Sequence, residues 1–460
     1  MRPSIESASY WLATRPDHHP APRFDGNRHV DIAIIGAGFT GLWVAHFLKQ
    51  LEPQLDVVVL EQGITGYGGS GRNAGQVSSG IDHTHKLAIA HFGIDEARRM
   101  SRVGLQNIEE LQQFIRDRGI DCDFERSGQL AVALTPVQVI EAHDLVAAAE
   151  QLGVAGVRFL SQEETRSELN SPLYLGGVAD PGWGIVNPIK LVDGLQRDAE
   201  RLGVDFFEHT RVRTLEQMSG KIHVQTPAGT VSADKVVLAT DVYTHQLFPQ
   251  LLRRYIPLYD YILVSEPLTA DQLTEIGWRN RQAVVDFRTF FNYYRLTADN
   301  RILWGTSEAR YYPPNRVEAA CDHSEPHYTT LRESFRRHFP QLANLNFPYA
   351  WGGPIASTTR LTPFFGTLKK GRVLYGLGYT GLGVANSRLV GKILAHMVLA
   401  RPSELLDLEM VQRQPLPYPP EPLRRLAVNA VTASLRRVDA GGKPGMLLRI
   451  LDTLGIGFSS

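Results

Sequence analysis

The chain has 460 residues, 43% of them hydrophobic, and its 48 Lys and Arg are matched by 48 Asp and Glu, giving a formal charge of zero. That length suits two or three domains with cores of their own, and the neutral balance offers no electrostatic footprint for a nucleic-acid backbone, so DNA or RNA is not the expected partner. Two cysteines, Cys122 and Cys321, exclude a disulfide framework and a Cys-rich metal site, although one disulfide stays arithmetically possible.

Residues 1–29 read as an N-terminal arm. Met1 to Asn27 lacks the continuous apolar core of a secretory leader, and no run of 18 apolar residues follows, so the expected compartment is the cytoplasm. Val30 to Ile35 is a short apolar strand followed at once by Gly36-Ala37-Gly38-Phe39-Thr40-Gly41. Gly41, Val44, Ala45 and Leu48 then fall on one helical face, and Asp56 to Leu60 is a second buried strand closed by Glu61. This βαβ unit has the parts a dinucleotide needs: glycines for the tight turn, a helix N-terminus for the pyrophosphate, and a carboxylate for ribose hydroxyls. NAD and FAD are not distinguished by it.

Glycines crowd the segment from Gly63 to Gly80, which suits backbone lying close to a ligand. A helix is expected from about Ile94 to Arg118, a strand over Gln129 to Leu134, and a helix over Val137 to Leu152. Asn187-Pro188 opens another helix to about Leu202, with proline where its missing N–H costs nothing. Gly220 to Thr226, Thr230-Val231 and Lys235 to Ala239 read as separate strands. From Tyr255 to Trp304 the chain is rich in aromatic residues, as in an antiparallel sheet distinct from the first unit. A strand over Arg372 to Tyr375 leads to Gly376-Leu377-Gly378-Tyr379-Thr380-Gly381-Leu382-Gly383 and a helix to about Leu399. No second strand ending in an acid follows, so this second glycine motif lacks the ribose half of a nucleotide site.

These segments, with Gly69-Ser70-Gly71-Arg72-Asn73-Ala74-Gly75-Gln76, Ala239-Thr240-Asp241 and Trp351-Gly352-Gly353, resemble the FAD-dependent D-amino-acid oxidase superfamily. Within it the chain is most similar to the branch of γ-glutamylputrescine oxidase and related amine oxidoreductases. The likeness runs over roughly residues 9 to 400, beginning loosely at Ser9-Tyr10-Trp11. It implies an α/β fold, with a Rossmann-like FAD domain (30–93, 165–250 and 348–410) interleaved with an antiparallel-sheet α+β substrate domain (94–164 and 251–347). Residues 411–460 form a tail.

By the same resemblance Gly36, Gly38 and Gly41, with Phe39 and Thr40 between them, would hold the FAD pyrophosphate. Glu61, with Gln62 beside it, would take the adenosine ribose, and Val212 the adenine through its backbone. Thr240 belongs to the same cofactor set. Arg72, Asn73, Ala74, Gly75 and Gln76 would run beneath the isoalloxazine, and Gly378, Thr380, Gly381, Leu382 and Gly383 would approach its pyrimidine end, where a helix dipole favours the reduced anion. Many relatives carry His at the position of Leu382. The implied reaction is oxidation of the C–N bond of an amine or amino acid by hydride transfer to flavin N5, giving an imine that hydrolyses. Since no lysine lies between Lys235 and Lys369, where some relatives use one toward oxygen, the acceptor is O2 or another carrier. A quinone-linked dehydrogenase and a non-catalytic flavin scaffold remain as alternatives. The FAD is expected to be dissociable, because neither cysteine falls in these motifs.

Candidate substrate residues are Tyr259, Tyr261, Tyr293, Arg295 and Trp351, with Trp183. Phe291, Tyr293 and Arg295 share one strand face, and an arginine there suits a carboxylate; the alternative is aromatic sheet core with a surface arginine. No metal site is expected: His18, His19, His83 and His85 read as solvated loop residues. In the tail, Leu423, Leu426, Ala427, Ala430 and Val431 make a loose apolar stripe, and Glu421 to Ser460 has six basic and three acidic residues. Residues 423–438 are expected to pack on the chain itself or a second subunit in preference to an anionic membrane surface.

Overall fold

The computed structural model describes residues 9–16, 18–453 and 456. The remaining residues of the N-terminal arm and tail expected from the sequence lie outside the described residues. Two eight-stranded sheets organise the chain. In the first, five strands run parallel in the order Val373–Leu377, Gly229–Leu238, Gly26–Ile35, Val57–Leu60 and Val204–Phe207. Phe364–Leu368 adds an antiparallel edge, and Thr214–Met218 and Lys221–Thr226 form a meander with Gly229–Leu238.

The strand residues alternate between two cores. Ile32, Ile34, Val57 and Val59 pack against the helices Phe39–Leu51, Pro188–Arg201 and Gly383–Leu399, while Ala33, Ile35, Val58 and Leu60 meet Leu215, Ile222 and Val224 of the meander. Such two-sided burial is why these strands read as unbroken apolar runs. Two strands are longer than their apolar cores predict. Gly26–Ile35 begins with the polar residues Asn27, Arg28 and His29, and Gly229–Leu238 is one continuous strand where two were expected. The cause is shared: Gly26 to Val30 pair in parallel with Gly229 to Ala233 at the open end of the sheet, where polar side chains stay solvated.

The second sheet runs Tyr349–Thr358, Tyr255–Pro267, Arg301–Tyr311, Asn292–Leu296, Ala283–Asp286, Gln129–Ala133, Gly176–Asp180 and Arg158–Leu160. Gly176–Asp180 and Tyr349–Thr358 thus pair with the substrate sheet, although the sequence groups them with FAD-domain segments 165–250 and 348–410. The chain passes from Tyr349–Thr358 to Phe364–Leu368 of the first sheet through a short loop, but from Gly176–Asp180 it reaches Val204–Phe207 only after Gly184–Ile185 and helix Pro188–Arg201. The helix expected from Ile94 is the straight part of His85–Asp117, which is kinked at Gly93 (φ 77°). Pro188–Arg201 is capped by Asn187, whose side chain accepts from the Lys190 N–H, as the proline placement predicts.

Candidate active site

At the first glycine turn the backbone leaves no room for side chains. Gly36 has a φ of 103°, and a Cβ on Gly41 would stand 2.0 Å from the Gly36 carbonyl oxygen, so the helix Phe39–Leu51 can start only with glycine there. Its first turn presents N–H groups that lack intrahelical partners; one of them, on Phe39, donates to Ser70 Oγ (2.8 Å). Thr40 Oγ1 meets Tyr379 Oη at 2.6 Å, which joins the first glycine motif to the second. The Glu61 carboxylate accepts from the N–H groups of Ala37 (2.9 Å) and Gly63 (2.7 Å), one on each oxygen. Each oxygen therefore retains a lone pair for a ribose hydroxyl. Burial pushes this carboxyl up, against the pull of those N–H donors. Gln62 is exposed. Thr210 N–H donates to the Glu61 carbonyl (2.7 Å), which draws buried Val212 to this end of the sheet. Thr240 lies against Gly36, its Cγ2 3.4 Å from where a Cβ would be.

The loop Gly69 to Gln76 is held from behind. Four of its carbonyls are bound by buried donors: Ser9 Oγ to Gly71 O (2.6 Å), Trp351 Nε1 to Arg72 O (2.9 Å), Trp11 Nε1 to Asn73 O (2.8 Å) and Arg295 to Gly75 O (2.8 Å). The Asn73 amide donates back to Gly69 O and Ser70 O and accepts from the Gly75 N–H. Buried backbone acceptors satisfied so fully fix the loop's path. Ser9-Tyr10-Trp11, only a loose signature in sequence, thereby becomes a brace under the loop. Arg72 reaches Asp322 (3.0 Å) and the Tyr243 hydroxyl (2.7 Å); burial opposes its charge, but these partners hold it firmly protonated.

Opposite that loop lies the second glycine turn. Asp241, pushed up to about 6 by burial, accepts from the Gly378 N–H (2.9 Å), and His83 Nε2 bonds Thr380 O (2.8 Å). Leu382 stands at the N-terminus of helix Gly383–Leu399. Between the two loops and the second sheet is a cavity of about 590 Å³. Arg72, Asn73, Ala74, Gly75 and Gln76 line one side, and Thr380, Gly381 and Leu382 another.

The sheet face decides which substrate candidates reach this cavity. Leu258, Asp260 and Ile262 point into it, so Tyr259 and Tyr261, one residue out of phase, point away. Tyr259 donates to Glu318 O, and Tyr261 to Cys321 O, with its ring stacked on His327. Arg295 is not a surface charge either: it is 1% exposed and donates to Gly75 O, Val186 O and Leu296 O, and burial lowers it to about 9. Trp351 sits behind Arg72. Tyr293 and Trp183 do line the cavity. His83 and His85 are partly buried in its wall instead of solvated; burial lowers both, with Asp180 pulling His85 the other way. His18 bonds Glu208 (3.2 Å). Among the described residues, no three of the His, Cys, Asp and Glu side chains are grouped as metal ligands.

Asp260 was not singled out in the sequence; it is one of five carboxylates lining the cavity, of which Asp82 and Asp286 are paired with His91 and Arg288. Tyr293 Oη donates to Asp260 Oδ2, and the Tyr261 N–H to its Oδ1 (2.7 Å). Burial pushes its carboxyl up to about 7 and, with Asp260 itself, pushes the Tyr293 phenol well above its usual range. The signal was present: Asp260 is the one charged residue from Tyr255 to Ser265, between two aromatics that alternate with it. The arginines bordering the cavity are committed elsewhere, Arg72 to Asp322, Arg288 to Asp286 (2.7 Å) and Arg424 to Leu252 O and Pro419 O. Lys86 stands at the exposed rim, facing Glu141.

Residues 31–397 match the family model described as FAD dependent oxidoreductase, DAO. The chain is 30% identical over 402 residues to a probable oxidoreductase OrdL of Rhizobium meliloti, covering 86% of this chain and 89% of that protein. It is 29% identical over 394 residues to the γ-glutamylputrescine oxidoreductase of Escherichia coli, covering 85% and 89%. The glycine oxidase structure from Geobacillus kaustophilus superimposes with a TM-score of 0.69 at 20% identity, over 84% of this chain and 99% of that one.

Proposed function

The chain belongs to the DAO family of FAD-dependent oxidoreductases, and from that membership we propose that it oxidises the C–N bond of a cationic amine in preference to an α-amino acid. One observation carries the preference. The cavity floor presents a carboxyl, Asp260, while the neighbouring arginines that would pair with a substrate carboxylate are engaged by the protein.

The residues fit the cofactor. The glycine turn leaves space only for backbone, Glu61 retains lone pairs for ribose, and the braced loop offers a fixed wall for a planar ring. Bound FAD supplies the two-electron oxidation. Asp260 does two things for the substrate: ionised, it pairs with the incoming ammonium, and with a pKa near neutrality it can accept the ammonium proton, leaving a neutral amine. Tyr293 holds the carboxyl in place. Water then adds to the released imine, giving a carbonyl compound and ammonia or a smaller amine.

FAD is proposed to be dissociable, since Cys122 and Cys321 are buried away from the cavity lining; their unpaired state suits a reducing cytoplasm. Electrons pass to oxygen or to another carrier. The substrate sheet lacks lysine, and Lys86 enters from a different loop. Incubating the enzyme with primary amines and trapping the product with a hydrazine tests the reading. An aldehyde hydrazone supports it; a 2-oxo acid formed only from α-amino acids overturns it.

A further inference from the structure

The tail does not lie apart from this site. Helix Leu423–Asp439 forms part of the cavity wall, which Val428, Val431, Thr432 and Leu435 line. The helix is rotated so that only part of the apolar stripe expected from the sequence faces inward: Ala427 and Val431 line the cavity, whereas Leu423 and Leu426 are 57% and 61% exposed, and Leu435 (7% exposed) and Arg424 are buried. Arg424 sets this rotation, donating to Leu252 O (2.9 Å), Pro419 O (3.0 Å) and Asn315 Oδ1 (2.7 Å). At the other end the Asp439 carboxylate accepts from the N–H groups of Thr289 (2.8 Å) and Phe290 (2.9 Å), and Arg436 pairs with Glu308 (2.6 Å). Both ends are anchored by polar contacts to the substrate domain, and between them the helix offers the cavity aliphatic side chains at positions 428, 431 and 435, one helical face. A crevice of about 520 Å³ separates the outer side of the helix from strand Arg301–Tyr311. The whole helix lies beyond residues 31–397, the part shared with the family.

We propose that Val428, Val431 and Leu435 are specificity-determining residues, selecting amines whose end distant from the oxidised carbon is an uncharged alkyl or aryl group. The inference rests on the amine reading for the head of the substrate and on the helix alone for its far end. A chain directed from Asp260 toward this helix, which lines the same cavity, meets aliphatic carbon there, so each added methylene buried against it contributes about fourfold in affinity. None of the helix residues that line the cavity is acidic, so a second ammonium against them would lose its hydration without a carboxylate from the helix in return.

The test is titration of the holoenzyme under anaerobic conditions with two homologous series, n-alkylamines and n-alkanols of two to eight carbons, following perturbation or bleaching of flavin absorbance. Dissociation constants are expected to fall about fourfold per carbon in both series. In Val431→Asp the slope should flatten and 1,4-diaminobutane should gain on butylamine; Leu435→Ala, a milder change, should reduce the slope without adding a charge. A flat series in the native enzyme, or slopes unchanged in both variants, would overturn the proposal. Amines that bind with the expected slope without bleaching the flavin would instead overturn the amine-oxidation reading and leave the wall standing.

Discussion

Asp260→Asn replaces a cavity-floor carboxylate with a neutral amide of nearly equal size. The amide oxygen keeps the Tyr261 N–H, and its NH₂ donates to Tyr293 Oη, whose hydroxyl turns from donor to acceptor, so the change removes charge with little loss of shape. A charge-assisted hydrogen bond to the substrate ammonium contributes about 1.5–3 kcal/mol, and its loss should lower kcat/KM for a primary amine roughly tenfold to a hundredfold. The pH profile carries a second signature. Native kcat/KM should rise with pH through about 7 as Asp260 ionises, and this limb should vanish in the variant. Stability should move the other way. Because the folded carboxyl sits near 7, above its ordinary value of 3.8, the stability it contributes is full below about pH 4 and is lost as pH rises through 7. Asparagine has no proton to lose, so the apoprotein variant should match or exceed the native Tm at pH 8, which separates a catalytic defect from misfolding. A kcat/KM within about twofold of native, with the same rising limb, would refute the role assigned to Asp260.

Glu61→Gln puts an NH₂ where one of two backbone N–H groups needs an acceptor; the orphaned donor costs about 1–3 kcal/mol, and FAD retention on ultrafiltration should weaken tenfold or more, whereas unchanged retention would deny Glu61 a place at the cofactor. Arg295→Ala strips donors from three buried carbonyls, so urea unfolding should show a loss of about 3 kcal/mol or more; a loss under 1 kcal/mol would show that the loop does not depend on its brace. Acid precipitation should leave the flavin in the supernatant, and a yellow pellet would point to a covalent link.

The nucleotide end of the site was readable because its signal is backbone geometry. A turn that excludes every Cβ must be written in glycine, and the flanking buried strands are written in valine, isoleucine and leucine. The substrate end follows a different logic. A period of two says that Tyr259 and Tyr261 share a face, but which face meets the cavity depends on packing against helix Glu325–His338, where Tyr328, Leu331 and Phe335 claim both rings. Arg295 was indistinguishable from a ligand-binding arginine because its partners are carbonyls supplied by Gly75 and Val186, far away in sequence. In the tail the stripe was right only in part: Ala427 and Val431 reach the cavity, but with Arg424 buried Leu423 and Leu426 face solvent. His83 and His85 were misjudged for the same reason, since a loop that packs against the second glycine turn does not announce its burial locally.

The preference for an amine over an amino acid is tested most directly by anaerobic mixing of the FAD-loaded protein with matched pairs, butylamine against 2-aminopentanoate and hexylamine against 2-aminoheptanoate, while flavin absorbance is followed. Each amine should bleach the flavin at least tenfold faster than its carboxylated counterpart at equal concentration. Faster bleaching by the amino acids would mean that a cation in the cavity is free after all, and that Asp260 is not what the substrate meets.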